Sequence, residues 1–344
     1  MTDTPAFPPP PAICGTIAER LKAGKRFVFS THVYPDGDNL GSMTALMHAL
    51  EGMGKECRAY VGTKVPDFYE FLPGVHRLVQ HEVPSDRPDD YDACIIVDSG
   101  DINRMGQPFT DWMATGRLEL INIDHHKSNT LFGDLIWVDP AYAAVGEQIV
   151  ELLDTLGVPL NPTIGTCLMT SIMTDTGRFS FENTSLKTMT YATRLVEAGV
   201  STHSVFLPVY MAKKLGGLRL QAIAMATLEV DSLRELATLY ITQDMLSKTG
   251  AQLEESEGFI DLVNAIDEIG TVCFFKEARP GDFKLSIRTK RFYDAVPISQ
   301  LFGGGGHARA AGATVPGHSI QDVLDRALPG IRAALDTQRA EHKG

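Results

Sequence analysis

No stretch of this sequence approaches the roughly 20 consecutive apolar residues of a membrane span, which excludes a helical membrane protein. The first residues, MTDTPAFPPPP, lack a basic region followed by an apolar one, so no secretory leader is expected and residues 1–14 read as a disordered lead-in. Cysteine is scarce. The five, at 14, 57, 94, 167 and 273, are odd in number and form neither a CxxC pair nor a zinc-finger spacing. That excludes a disulfide scaffold and predicts buried, reduced thiols in a reducing compartment, by default the cytoplasm. Positive charge is also short: 31 Lys and Arg against 43 Asp and Glu leave a formal charge of −12. A protein that grips long duplexes needs a basic face, so a long-duplex binder is excluded. A short anionic substrate is not, because metal ions and a few arginines can supply positive charge locally. There is no G-x-S-x-G, no Cys-His pairing, no internal repeat, and no P-loop ending in Lys-Ser/Thr.

What is present is enough for two domains with their own cores: 344 residues, 44% of them apolar. From Arg26 to about Gly199 short apolar runs alternate with helical stretches. RFVFSTH, CRAYVG, DACIIVD, LELINIDHH and LIWVD read as strands; GSMTALMHALEGMG, AAVGEQIVELLDTLG and SLKTMTYATRLVEAG read as helices. Near-continuous apolar strands between helices predict an α/β domain with a mainly parallel sheet covered on both faces. GVSTHSVFLPVYMAKKLGG, with its proline and glycine pair, reads as a linker over 200–217. Beyond it, strands are expected at LATLYIT, TVCFFKEA, DFKLSIRTK and AGATVP, with helices around 250–266 and 319–337. The expected division is 1–14 lead-in, 15–199 first domain, 200–217 linker, 218–337 smaller second domain and 338–344 tail.

The apolar strands end in reactive residues: FVFS runs into Thr31-His32, CIIV into Asp98, and LINI into Asp124-His125-His126. In open α/β sheets, ligands bind beyond the carboxyl ends of the strands, so these ends define one candidate site. In THVYPDGDNLGS, Asp36 and Asp38 are two apart and can reach two different ions, and Gly41-Ser42 reads as a helix opening whose N–H groups favour an anion. Asp98, ending a buried strand, would be costly unless paired or bound to metal. Asp101 and Arg104 are expected to pair with each other. In INIDHHKSN, one histidine suits a metal and the other a substrate or acid contact, with Asp124 orienting an imidazole. Asp175 ends an apolar helix before a Thr-Gly turn, where a capping role is the plainer alternative. The donors are oxygen and imidazole with no thiolate. That mixture suits two Mn²⁺ ions, with Mg²⁺ or Co²⁺ as alternatives, about 4 Å apart around an attacking water. In LFGGGGHARAAGA, Gly304, Gly305 and Gly306 let backbone N–H groups approach a ligand beside His307 and Arg309, and Arg288 lies on a nearby strand.

These elements resemble motifs I to IV of the DHH phosphoesterase superfamily, residues 124–126 being its namesake, and GGGGHARAAGA resembles the signature of its companion DHHA1 domain. The similarity spans roughly residues 15–335. It implies a DHH domain linked to a DHHA1 domain with the active site in the cleft between them. The resemblance places His32, Asp36 and Asp98 on one ion, and Asp38, Asp98, His125 and Asp175 on the other. It puts His126 on the scissile phosphate or leaving oxygen, with Asp124 behind it, and makes Arg288, His307 and Arg309 substrate clamps. The nearest subgroup is the short oligoribonuclease (nanoRNase) and 3′-phosphoadenosine 5′-phosphate phosphatase type. RecJ exonucleases normally carry further domains, and family II pyrophosphatases have a different second domain. The implied activity is exonuclease cleavage of single-stranded RNA of about two to five nucleotides to nucleoside monophosphates, with the length of the site limiting substrate size. The alternatives are a 3′-phosphatase on adenosine 3′,5′-bisphosphate, cleavage of linear or cyclic dinucleotides, or a sensor without chemistry. No membrane partner is expected, and a homodimer is left open. Asn39-Leu40 departs from the small or Ile residues expected in motif I.

Overall fold

The computed structural model describes residues 9–212 and 214–343, with His307 and Lys343 by their backbone alone. Contacts divide the chain into two units, residues 1–212 and 213–344.

In the first unit the elements run α1 (Ala12–Ala23), β1 (Arg26–Ser30), α2 (Gly37–Gly52), β2 (Glu56–Val61), β3 (Val79–Gln80), β4 (Ala93–Val97), α3 (Gln107–Met113), β5 (Leu120–Asp124), β6 (Leu135–Val138), α4 (Val145–Leu156), α5 (Pro162–Asp175), α6 (Leu186–Glu197) and α7 (Thr202–Phe206). The six strands pair in parallel in the order β3-β2-β1-β4-β5-β6. Alternate residues feed two cores. Phe27, Phe29, Ile95 and Val97 pack in a cluster with residues of α1, α2, α4 and α5, while Val28, Cys94 and Ile96 pack with Phe109, Trp112 and Met113 of α3 on the other face. This period-2 division of wholly apolar strands is what two helical layers require. Strand order reverses between β1 and β4, and crevices at such switch points are where open sheets bind ligands.

The second unit runs α8 (Leu215–Met225), β7 (Glu229–Asp231), β8 (Leu236–Ile241), α9 (Gln243–Thr249), α10 (Phe259–Asn264), β9 (Thr271–Arg279), β10 (Asp282–Thr289), α11 (Ala295–Gln300), β11 (Gly305–His307), β12 (Ala310–Pro316) and α12 (Ile320–Lys343). Its sheet, β11-β12-β10-β9-β8-β7, is mixed: β8 and β9 are parallel and the other pairs antiparallel. No helix among the described residues is long and apolar enough to cross a membrane.

The structure corrects several boundaries. Residues 12–14, assigned to the lead-in, belong to α1, whose Cys14, Ile17, Ala18 and Leu21 are wholly buried; residues 1–8 lie outside the described residues. The expected linker is largely helical. Val205 of α7 is buried in the first unit's core, the Tyr210 hydroxyl donates to the Met173 carbonyl at 3.2 Å, and the Gly216-Gly217 pair lies inside α8. The presumed tail at 338–343 continues α12, where Gln338 bonds the backbone of Asp294 at both its amide N–H and its carbonyl.

Candidate active site

Each strand end delivers its side chain for a local reason. Past β1, the Thr31 hydroxyl donates to the Val97 carbonyl at 3.1 Å, tying the His32 loop to β4. His32, 5% exposed, bonds through Nδ1 to the Val33 carbonyl at 2.9 Å. Its Nε2 therefore carries the lone pair, which accepts from the Asn39 amide at 2.8 Å, with Asp36 Oδ2 at 3.7 Å and Asp98 Oδ2 at 3.6 Å beside it. Asp36 is the N-cap of α2: Oδ1 accepts from the N–H groups of Asp38 and Asn39, leaving Oδ2 for His32. The helix thus opens at Gly37 rather than at Gly41-Ser42, and its first N–H groups are taken by Asp36 itself. Gly41 has a packing role, since a Cβ there would stand 2.4 Å from the Cys167 carbonyl of α5.

Asp98 is the centre. It is 2% exposed and adopts φ +53°, a conformation Asp tolerates better than most residues and one that concentrates at functional sites. Its Oδ2 faces His32, and its Oδ1 lies 3.6 Å from His125 Nε2 and 3.4 Å from His126 Nδ1. His125 donates through Nδ1–H to the Tyr142 carbonyl at 3.1 Å, and its Nε2 lies 3.6 Å from Asp38 Oδ2 and 3.3 Å from Asp175 Oδ2. Asp38 is held by the N–H groups of Val145 and Gly146 at the start of α4 and by the hydroxyls of Ser42 and Ser171. Asp124 orients His126: Oδ1 lies 2.7 Å from its Nδ1, while Oδ2 accepts from Asn129 at 2.5 Å.

His32, Asp36 and Asp98 form one group that could hold a metal ion; Asp38, His125 and Asp175 form another; Asp98, His125 and His126 form a third. The donors fit a divalent cation. Their separations of 3.3–3.7 Å are too long for hydrogen bonds and close to the ~3–3.5 Å between ligands each ~2.1 Å from a common ion. Asp98 Oδ1 is buried with no hydrogen-bond partner, an orphan that a cation would satisfy. In the third group, His126 Nδ1 is engaged by Asp124, so that nitrogen carries a proton and offers no lone pair.

The electrostatics say the same. Burial, then the charges of Asp38, Asp36 and Asp175, pushes the Asp98 carboxyl far above the usual range. Burial also raises Asp38, and burial with Asp38 nearby pushes Asp175 up to about 8. Burial lowers His32, whereas for His125 the effect of burial is outweighed by Asp38 and Asp175, which raise it. For Asp124 burial is likewise outweighed, by the His126 and Asn129 bonds, and it is lowered. The site holds more negative charge than its own cations balance.

All eight residues predicted for the first-domain site therefore converge. Asp101 does not pair with Arg104: its carboxylate accepts from the backbone and side chain of Asn103. Sequence reasoning missed Asn129, Tyr142, Ser171 and Asn183, which hold the ligands rather than supply them.

In the second unit, Arg288 on β10 stands directly opposite Ala310 on β12, which is in turn opposite His307 on β11. Arg288 lies 3.5 Å from Asp261 and is 35% exposed, and Arg309 donates to the Tyr293 carbonyl at 2.7 Å. The side chain of His307 lies outside the described residues. The glycines have structural reasons of their own: a Cβ on Gly304 would stand 2.1 Å from the Gly312 carbonyl, and Gly306 adopts φ +145° against Ala310 and Ala311. Gly305 meets no such neighbour and is exposed on the short hairpin.

A switch-point crevice carrying oxygen and imidazole donors around one shared carboxylate defines a metal-dependent hydrolase of phosphoester bonds. The chain matches the DHH family, N-terminal domain, over residues 26–172 and the DHHA1 domain over residues 235–335. It belongs to the DHH family. It is 33% identical over 326 residues to the bifunctional oligoribonuclease and PAP phosphatase NrnA of Thermus thermophilus, covering 93% of each chain. It is 29% identical to the protein of the same name from Bacillus subtilis, covering 92% of this chain and 95% of that one. In fold it is similar to an exopolyphosphatase-related protein from Bacteroides fragilis, with a TM-score of 0.86, 22% identity, and 97% and 98% of the two chains covered.

Proposed function

We propose that this protein hydrolyses short single-stranded oligoribonucleotides, dinucleotides included, to nucleoside monophosphates, and also removes the 3′-phosphate of adenosine 3′,5′-bisphosphate. The observation that carries the reading is Asp98, whose two oxygens face His32 on one side and His125 on the other. The relatives' name, with both activities in it, supports the choice of substrates. His32, Asp36 and Asp98 would hold one ion; Asp38, Asp98, His125 and Asp175 the other. Oxygen and imidazole donors without thiolate favour Mn²⁺, with Mg²⁺ or Co²⁺ as substitutes. The ions, when bound, supply Lewis-acid polarisation of the phosphoryl oxygens and an activated water. The five cysteines are free, which suits a cytoplasmic protein.

The chain's own residues divide the remaining work. Because Asp124 engages Nδ1–H of His126, the imidazolium form would present Nε2–H to a phosphoryl oxygen and pass that proton to the leaving oxygen, ending as the neutral Nδ1–H imidazole. His126→Asn is expected to lower kcat about 10²- to 10⁴-fold, with Mn²⁺ still bound. Turnover of each substrate and Mn²⁺ titration check this, and loss of the metal along with activity would move His126 into the ligand set. Arg288 would supply the guanidinium for a substrate phosphate, aided by Arg309, His307 and the glycine hairpin at Gly305 and Gly306; the Gly304 N–H is taken by the Ser299 carbonyl at 3.0 Å. Arg288→Ala should raise KM for a diribonucleotide by about 10- to 100-fold, the value of a lost charge-assisted bond, and leave Mn²⁺ binding intact.

The deciding experiment offers a 5′-labelled diribonucleotide, a 24-mer and adenosine 3′,5′-bisphosphate side by side in Mn²⁺, with a chelator control. The expected result is chelator-sensitive turnover of the dinucleotide and the bisphosphate with little attack on the 24-mer. Equal rates on short and long RNA would overturn the size limit. Bisphosphate turnover with both RNAs untouched would leave only the phosphatase.

A further inference from the structure

The turn between β6 and α4 touches two segments of the site at once, the end of β5 and the start of α2. The Tyr142 carbonyl lies 3.1 Å from His125 Nδ1, and three and four residues later the N–H groups of Val145 and Gly146 donate to Asp38 at 2.8 and 3.3 Å. Three residues along one piece of backbone thus set two of the three side chains in the Asp38–His125–Asp175 group. The third is tied to the same turn from outside. Asn183, in the loop between α5 and α6, donates its Nδ2 hydrogens to the Ala143 carbonyl at 3.1 Å and to the Asp175 carbonyl at 3.0 Å. One amide therefore clamps the end of α5 to the turn.

The turn is also fixed from beneath. The Tyr142 hydroxyl donates to the buried Glu151 at 2.5 Å, Glu151 is paired with Lys187 at 2.6 Å, and the Lys187 ammonium stands 4.1 Å from the Tyr142 ring centre. By contrast, among the described residues no hydrogen bond from this turn reaches His32 or Asp36. Their supports are the Val33 carbonyl, the Asn39 amide and the first N–H groups of α2.

Resting on the two-ion reading above, we infer that Asn183 is a positioning residue for one metal site only, the Asp38–His125–Asp175 group, acting through residues 142–146. It contacts no substrate and supplies no ligand. Hydrogen bonds behind metal ligands typically carry 10- to 100-fold in metal affinity, and here that sensitivity is confined to one of two sites. Asn183 is solvent-exposed, so its replacement leaves the core intact.

The test is Mn²⁺ titration of the full-length protein, wild type, Asn183→Ala and Asn183→Gln, with free Mn²⁺ read by electron paramagnetic resonance and the melting temperature of each metal-free protein measured alongside. Wild type is expected to take up two ions. Asn183→Ala should retain one at wild-type affinity and bind the other about 10- to 100-fold more weakly, with an unchanged metal-free melting temperature. Asn183→Gln, which keeps the donor, should recover part of the loss. Two ions bound as in wild type would overturn the inference. So would equal weakening of both with a lower melting temperature, which marks general loosening. A wild type that binds no Mn²⁺ overturns the two-ion reading itself, and the Asn183 assignment falls with it.

Discussion

Asp98→Asn is expected to abolish turnover and, in the metal-free protein, to raise the melting temperature. The two effects share one cause. The carboxylate is buried among Asp36, Asp38, Asp175 and Asp124, whose charges all oppose its ionisation. It is tolerable there only as a partner for cations, so stability is sacrificed for a site. Asparagine keeps the shape and, like aspartate, accepts the φ of +53° that Asp98 adopts. What it removes is the shared charge. Activity should fall by at least about 10³-fold, beyond the 10- to 100-fold usual for residues that only support a ligand. Each kcal/mol of relieved repulsion is worth about 2–4 °C in a domain of this size, and a gain of that order is expected at and above neutral pH. Thermal scans with and without Mn²⁺ check the account: wild type should gain stability from Mn²⁺ and the variant almost none. A variant that melts lower without metal would show that Asp98 stabilises the fold by itself.

The metal-free wild type should lose stability as pH rises through the range where ordinary carboxylates are already ionised. Asp175 is pushed up to about 8, and Asp38, Asp98 and His125 are raised as well. A raised group holds its proton in the folded state at a pH where the unfolded chain releases it. The folded state then binds more protons, and stability falls with rising pH until the folded value is passed. His32 works in the opposite sense, because burial lowers it; its contribution is lost as pH falls below the unfolded value of about 6.5. Between about pH 6.5 and 8.5 only the raised groups act, so the melting temperature should decline across that window. Mn²⁺ requires the same groups deprotonated, so its apparent affinity should climb over the same interval and its binding should release protons. Melting curves in chelator, paired with calorimetry in buffers of different ionisation enthalpy, measure both. A flat melting temperature from pH 6.5 to 8.5 without metal would contradict the raised values.

Much of the site was legible because its ligands interrupt strong patterns. Apolar strands that end in His32, Asp98 or Asp124-His125-His126 leave polar groups at one edge of a sheet, whichever way the strands are ordered. The order itself, with its reversal between β1 and β4, depends on crossovers that no local pattern encodes. The start of α2 was misplaced because Asp36 serves as both candidate ligand and helix cap, and a single residue type signals either. The 200–217 segment looked like a linker on the strength of Pro208 and the Gly216-Gly217 pair. The proline sits in the helical turn that follows α7 directly, and the glycines lie within a helix. The supports of the site were illegible for a different reason. A Tyr142 carbonyl or the N–H of Val145 is common to every residue type, so its role appears only when the chain is folded. Asn183 looks like any loop asparagine until its amide is seen spanning Ala143 and Asp175.

The claim at the centre is that Asp98 bridges two ions. A crystal soaked in Mn²⁺, with data collected at the manganese edge, tests it most directly. Two anomalous peaks about 4 Å apart are predicted, one beside His32 and Asp36 and one beside Asp38, His125 and Asp175, with one Asp98 oxygen on each. A single peak, or two peaks of which Asp98 touches only one, would contradict it.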